Sequence, residues 1–96
     1  MKELIEQIKS LAESQNFFAK KAVQRYKLVV EEYIADNCTD GNKIAYTLDF
    51  MLDFCFDEEM LTLYSKLCRH LYSFDQHAAL EYVEAYRERW DEYNEQ

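Results

Sequence analysis

The sequence contains no proline and only one glycine, Gly41. Short β-hairpins depend on such residues for their turns, so this scarcity argues against a fold built from strands. Apolar residues instead recur at intervals of three and four along most of the 96 residues. We therefore predict an all-α fold: a small antiparallel helical bundle of about four helices with a long N-terminal helix, in which residues 1–96 form a single helical domain.

Paired cysteines and long hydrophobic runs are also lacking. Cys38, Cys55 and Cys68 are an odd number of cysteines without paired spacing, so they do not indicate a disulfide framework. The first residues lack the apolar core of a signal peptide, and no apolar run is long enough to span a bilayer. These features predict a cytoplasmic protein that does not contact a membrane.

Patterns that carry chemistry are missing as well. One glycine cannot build a Gly-rich phosphate-binding loop, and Cys38 has no base near it in sequence. His70 and His77 share no metal-ligand spacing with another candidate ligand, apart from the pair His77 and Glu81. We therefore expect a protein that is not an enzyme and that uses no cofactor and no metal.

The apolar spacing predicts four helices, at about residues 2–36, 43–56, 58–72 and 76–93. The apolar row of the first helix keeps its phase across a run of weak helix formers at residues 14–16, so we predict that this helix is unbroken. At about 50 Å, it is longer than the other helices. The apolar face of the overhang must therefore bend back, meet a second copy or meet a partner.

Capping residues mark the predicted boundaries. Asn37 and Gly41 are natural helix stops, and either Asp40 or Asn42 can cap the second helix. Asp57 is predicted to cap the third helix, where the acidic residues that follow it also favour the helix dipole. For the fourth helix the candidate caps are Ser73 and Asp75.

The net charge of −8 is unevenly distributed. Residues 1–35 contain six basic and five acidic residues, whereas residues 36–96 contain five basic and fourteen acidic residues. This acidity disfavours direct binding to nucleic acid or to an anionic membrane, and it suits a basic protein surface. Acidity of this kind is also typical of proteins that only need to stay soluble.

An acidic and aromatic stripe follows the second predicted helix. Asp49, Asp53 and Asp57 recur every fourth residue, and Tyr46 and Phe50 lie between their rows. If the stretch is helical, all five side chains project from one side, opposite an apolar row. We predict that this side contacts a basic partner. The alternative is that the second helix is the central helix of the bundle, with its aspartates at an edge.

The fourth predicted helix has an acidic row and an aromatic row. The acidic row is a second candidate partner-binding surface, formed by Glu81, Glu84, Glu88, Asp91, Glu92 and Glu95. A solvated acidic face needs no function, but this row has few basic residues to neutralise it. The aromatic row has core spacing, which favours packing, and consists of Tyr82, Tyr86, Trp90 and Tyr93.

Two functional hypotheses follow. The first is a non-enzymatic acidic inhibitor that masks the basic, nucleic-acid-facing surface of a target protein, such as a nuclease. Immunity proteins, anti-CRISPR proteins and DNA mimics act in this way, and the analogy rests on size, charge and helicity. The second is a self-associating scaffold or regulatory subunit that forms a homodimer through the N-terminal helix. Phe17 and Leu28, on the polar side of that helix, are a further candidate contact.

Overall fold

A computed structural model describes residues 2–90 of the chain, apart from the side chains of Lys2, Ala12 and Ser14. Four α-helices follow one another: α1 (Lys2–Ala35), α2 (Gly41–Leu52), α3 (Glu58–Tyr72) and α4 (Gln76–Trp90). No strand occurs in residues 2–90, so the all-α prediction is confirmed. The first helix is unbroken, also as predicted, and contains 34 residues. The predicted end of the fourth helix, beyond Trp90, lies outside the described residues.

The end of α1 is set by Asn37, which adopts a left-handed backbone conformation with φ of 50°. The N–H of Cys38 donates to the carbonyl of Tyr33 at 2.9 Å, and the N–H of Asn37 donates to the carbonyl of Ile34 at 3.1 Å. These two bonds form a Schellman motif, which satisfies carbonyl groups that the helix end leaves free. The predicted stop at Asn37 is confirmed, whereas Gly41 begins α2 and does not stop a helix.

Aspartate caps start the other three helices. The Asp57 carboxylate accepts hydrogen bonds from the N–H groups of Glu59 and Met60 at 2.9 and 3.2 Å, and α3 has the predicted bounds. Asp40 and Asp75 cap α2 and α4 by accepting from the backbone N–H three residues later. Ser73 instead lies at the C-terminal cap of α3, so the choice left open for α4 falls on Asp75.

The predicted extent of the second helix was wrong, because α2 ends at Leu52 and not near residue 56. Residues 53–57 form turns with hydrogen bonds between residues three apart. The carbonyl of Leu52 accepts from the N–H of Cys55 at 3.3 Å and from Nε1 of Trp90 at 2.8 Å. An indole from α4 therefore satisfies a carbonyl at the end of α2, and this long-range contact has no local sequence signal.

The central helix is α3, which packs against each of the other three helices. Its buried residues provide much of the core: Met60, Leu63, Tyr64, Leu67, Cys68 and Leu71. The alternative that made the second helix central is therefore wrong. On α2, Ile44, Leu48 and Met51 are buried, and the opposite side is exposed.

The helices alternate in direction, so α1 runs parallel to α3. Nζ of Lys20 contacts Asp57 and Glu59 at the start of α3, and the carbonyl of Cys38 lies 2.7 Å from Nε2 of His70 near its end. Residues 3–18 of α1 therefore extend beyond the start of α3. Every described side chain in residues 3–18 is exposed, and the first buried residue is Ala19. We call residues 3–18 the arm.

Candidate protein-binding surfaces

One side of the arm is apolar and exposed. Its large side chains are between 53% and 68% exposed, and they are Leu4, Ile5, Ile8, Leu11 and Phe18. The charged residues of the arm project from the other side of the helix: Glu3, Glu6, Lys9 and Glu13. At roughly 100 Å² of exposed surface for each apolar side chain, this row presents about 500 Å², as large as the largest apolar patches on ordinary monomers.

A second apolar surface is the groove between α3 and α4, with a volume of about 460 Å³. Leu61 and Tyr72 line it from α3, and Leu80 and Val83 line it from α4. Tyr72, Leu80 and Val83 are large side chains that remain exposed. Arg69 is the only charged residue among the described residues that line the groove. Sequence patterns did not indicate this groove, because they placed Val83 on the same side as the aromatic row of α4 and gave Leu80 no role.

The inner lining of the groove is chemically inert. Tyr64 and Cys68 are buried there, and the hydroxyl of Tyr64 donates to the carbonyl of Tyr82 at 2.6 Å. Burial raises the pKa of the Cys68 thiol to about 12, so the thiol is protonated at neutral pH. The groove therefore offers an apolar surface for packing.

The acidic and aromatic stripe of α2 is divided by the fold. Tyr46, Asp49 and Phe50 are exposed, and the rings of Tyr46 and Phe50 form an edge-to-face pair with centroids 5.0 Å apart. Asp53 follows the last residue of α2, and its carboxylate lies 2.7 Å from Nη1 of Arg89. Of the five predicted contact residues, these four lie on or beside α2, and one already has a cationic partner.

Asp57 does not belong to this surface, contrary to the expectation that all five side chains share one side. Because α2 ends at Leu52, Asp57 lies in the next connection, where it caps α3. Its side chain is only 10% exposed, and its carboxylate lies 3.0 Å from Nζ of Lys20. Burial raises the pKa of Asp57, but hydrogen bonds from Lys20 and from backbone N–H groups outweigh this, and the pKa is below its usual value.

The aromatic pair of α2 lies beside basic residues as well as acidic ones. Tyr46 and Phe50 line a groove of about 530 Å³ between α1 and α2, together with Arg25 and Lys43. Asp49 lies near the hydroxyl of Tyr82 on α4, and this hydroxyl donates to the carbonyl of Ala45 at 3.1 Å. Burial is the main cause that raises the pKa of Tyr82 to about 12, and Asp49 adds to it. The surface around α2 is therefore mixed in charge.

The described part of the acidic row on α4 is exposed and partly paired. Oε1 of Glu81 lies 2.8 Å from Nε2 of His77, and Oε2 of Glu84 lies 3.9 Å from Nη1 of Arg87. Glu88 is exposed. Three further members of the row lie outside the described residues: Asp91, Glu92 and Glu95. The aromatic row packs as predicted, because Tyr82, Tyr86 and Trp90 are partly buried against the core, whereas Tyr93 lies outside the described residues.

The remaining chemical groups serve the fold. His70 contacts the carbonyl of Cys38, and burial raises the pKa of the Cys55 thiol to about 12. Within residues 2–90, no group of three or more His, Cys, Asp or Glu side chains lies close enough together to hold a metal ion. Across the same residues, every helix is too short or too polar to cross a membrane.

Comparison of the chain with protein-family models, with curated proteins and with solved structures finds no match. Function must therefore be inferred from the surfaces themselves.

Proposed function

We propose that this chain is a self-associating helical module, a scaffold or regulatory subunit that forms a homodimer through the arm. The observation that carries this proposal is the row of five large apolar side chains on the uncharged side of residues 3–18. Covering such a surface is favourable by about 25 cal/mol for each Å² removed from water. Within residues 2–90, no other helix covers it, and a second copy of the chain can.

The charges of the arm support a protein partner rather than a lipid surface. Amphipathic helices that lie on membranes carry many Lys and Arg residues on the polar side. The polar side of the arm has Glu3, Glu6 and Glu13 against Lys9. This acidic polar side would be repelled by an anionic bilayer, whereas a neutral apolar side suits a second protein surface of the same character.

The test is a measurement of molar mass against concentration by sedimentation equilibrium. The wild type should shift from monomer to dimer as the concentration rises, and Ile8→Glu should remain a monomer with unchanged helicity. Phe17→Glu is the matched control, because Phe17 is on the opposite side of the arm and is 58% exposed, against 57% for Ile8. A wild type that stays monomeric at all concentrations, or equal dissociation of both variants, would contradict the proposal.

A second candidate function is the acidic inhibitor that masks a basic surface of a nucleic-acid-binding target, in the manner of an immunity protein, an anti-CRISPR protein or a DNA mimic. The observation that favours it is the exposure of Tyr46 and Phe50 next to Asp49, on a chain of net charge −8. The intramolecular partners of Asp53 and Asp57 weaken it, because a basic target would have to displace Arg89 and Lys20. The arm therefore carries the stronger proposal.

This second function predicts binding that depends on charge. For a basic target purified with the chain from its source cells, affinity should fall as salt is added, mainly through a slower association rate. Asp49→Lys combined with Asp53→Lys should abolish binding and leave helicity unchanged. Glu31→Lys combined with Glu32→Lys makes the same charge change on α1 and should have a much smaller effect. Affinity that is flat between low and high salt would rule out this mechanism.

A further inference from the structure

Two apolar surfaces of this molecule face solvent: the arm and the α3–α4 groove. We propose that they bind each other between two copies, so that the arm of each copy docks in the α3–α4 groove of its partner. This inference rests on the proposed self-association and names the surface that receives the arm. It requires that the arm and the groove match in length and in charge, and that their contact buries enough apolar surface.

The groove matches part of the arm in length. Residues 61–72 of α3 and 79–86 of α4 line the groove, and they span about 18 Å and about 12 Å at a rise of about 1.5 Å per residue. Residues 4–11 of the arm span about 12 Å, so this part of the arm fits the groove. Leu4, Ile8 and Leu11 are spaced by four and three residues, the arrangement by which an amphipathic helix inserts its side chains into an apolar groove.

The charges also match. Arg69 is the only charged residue among the described residues of the groove, and the apolar side of the arm has no charge. Docking therefore buries no unpaired acidic group. The three glutamates and one lysine of the arm face away from the groove after docking, so their net negative charge attracts Arg69 during the approach and not through direct contact.

The arm cannot reach the groove of its own chain. α1 lies along the side of α3 that includes Leu63 and His70, whereas the groove lies along the side that includes Leu61, Cys68 and Tyr72. The arm continues the axis of α1 without a break and points away from the bundle. Only a second copy can therefore bring an arm to the groove, and a two-fold pair satisfies both arms and both grooves.

The buried area favours exchange, in which each arm docks in the groove of the other copy, over direct pairing of the two arms. Two arms packed on each other would remove about 1,000 Å² of apolar surface and would leave both grooves open to solvent. Reciprocal docking adds the groove surfaces to the arm surfaces, because it also covers Tyr72, Leu80 and Val83, which pairing of the arms would leave exposed.

Complementation between two variants tests this inference. Ile8→Glu breaks the arm, and Leu80→Glu breaks the groove at a residue with 58% exposure, so both chains should fold. Each variant alone should dimerise at least 100-fold more weakly than the wild type. A mixture of the two should form a heterodimer, because the intact arm of the Leu80→Glu chain can dock in the intact groove of the Ile8→Glu chain.

The outcomes separate this inference from the proposed function. If Leu80→Glu dimerises like the wild type while Ile8→Glu does not, the arms pair with each other, so self-association stands and the groove assignment fails. If the mixture stays monomeric, exchange is also wrong. If the wild type is a monomer throughout, both proposals fail. Phe17→Glu should dimerise as the wild type does, and its dissociation would place the interface on the wrong side of the arm.

Discussion

The two parts of α1 have the same apolar period and opposite environments. In residues 19–35, the buried side chains are small or β-branched: Ala19, Val23 and Val30. In the arm, the large apolar side chains are Leu, Ile and Phe, and all of these are exposed. Small residues let α1 approach α3 closely, and the large apolar residues of the arm lie beyond the other helices of residues 2–90. The five large apolar side chains of the arm therefore lie where the other described helices do not cover them.

The same contrast applies to helix stability. Residues 19–35 are held by tertiary packing, which supplies most of the stability of helices in proteins. The arm extends an existing helix, so it has no nucleation cost, but it gains only the small propagation free energy of each added residue. A partner that covers the apolar side would supply the packing that stabilises the rest of the helix. The following predictions test this comparison between the arm and the bundle.

The largest expected difference is in amide hydrogen exchange. In the Ile8→Glu variant, which should be monomeric, the arm amides should exchange at rates within about tenfold of an unfolded chain. The amide of Leu67 in α3 should open only with global unfolding, at a cost of about 5–15 kcal/mol. In the dimeric wild type, protection of the arm should rise. Arm amides that are as slow as those of α3 in the monomeric variant would contradict the comparison.

A matched pair of substitutions gives the next largest effect. Leu67 is fully buried, and Leu67→Ala should lower the free energy of unfolding by about 2–5 kcal/mol through lost burial and a cavity. Leu11 is 68% exposed, and Leu11→Ala should change it by less than about 0.5 kcal/mol. Urea denaturation, at protein concentrations low enough for the chain to be monomeric, measures the free energy of unfolding of both variants. Similar losses from the two variants would mean that the arm folds back on the bundle.

The sequence could predict what depends on neighbouring residues. The bounds of α3 follow from Asp57 and from apolar residues at regular spacing, so they were predicted as they occur. Sequence patterns did not predict the end of α2, where Trp90 of another helix donates to the carbonyl of Leu52, because neighbouring residues do not encode such a contact. Periodicity also cannot separate the arm from residues 19–35, since only the position of α3 distinguishes them.

The candidate site shows the same division. Helical periodicity correctly indicated that Tyr46, Asp49 and Phe50 face outward. The charge pattern could not show that Asp53 and Asp57 find Arg89 and Lys20, because those partners come from distant parts of the chain. A run of acidic residues in a sequence therefore overestimates the negative charge that is left for another molecule.

Asp57 should give an intermediate effect, because it joins α3 to α1. Asp57→Ala removes the cap and the contact with Lys20, and it should lower stability by about 0.5–2 kcal/mol at pH 7. Since folding lowers the pKa of Asp57, its contribution is present above the unfolded pKa of about 3.9 and is lost as the pH falls through the lower folded pKa.

Thermal or urea unfolding at pH 7 and at decreasing pH measures this contribution. The difference between wild type and Asp57→Ala should be constant above about pH 5 and should shrink below about pH 4. Glu31→Ala, at an exposed position of α1, should match the wild type at each pH. A difference that is unchanged at pH 2 would show that the carboxylate charge does not stabilise the fold.

The smallest effect concerns Asp53 and Arg89, whose side chains are about half exposed. A double-mutant cycle with Asp53→Asn and Arg89→Gln should give a coupling free energy of about 0.2–1 kcal/mol, which added salt should reduce. The cycle separates this pair from the stacking of Arg89 on the Trp90 ring, where the guanidinium lies 5.2 Å from the centroid. A coupling in this range means that a basic partner loses little free energy by separating Asp53 from Arg89. Asp53 would then remain available to bind the target in the second candidate function. A coupling well above 1 kcal/mol would tie Asp53 to the bundle as firmly as Asp57, and Asp49 would then be the one aspartate of the original stripe left for a cationic partner.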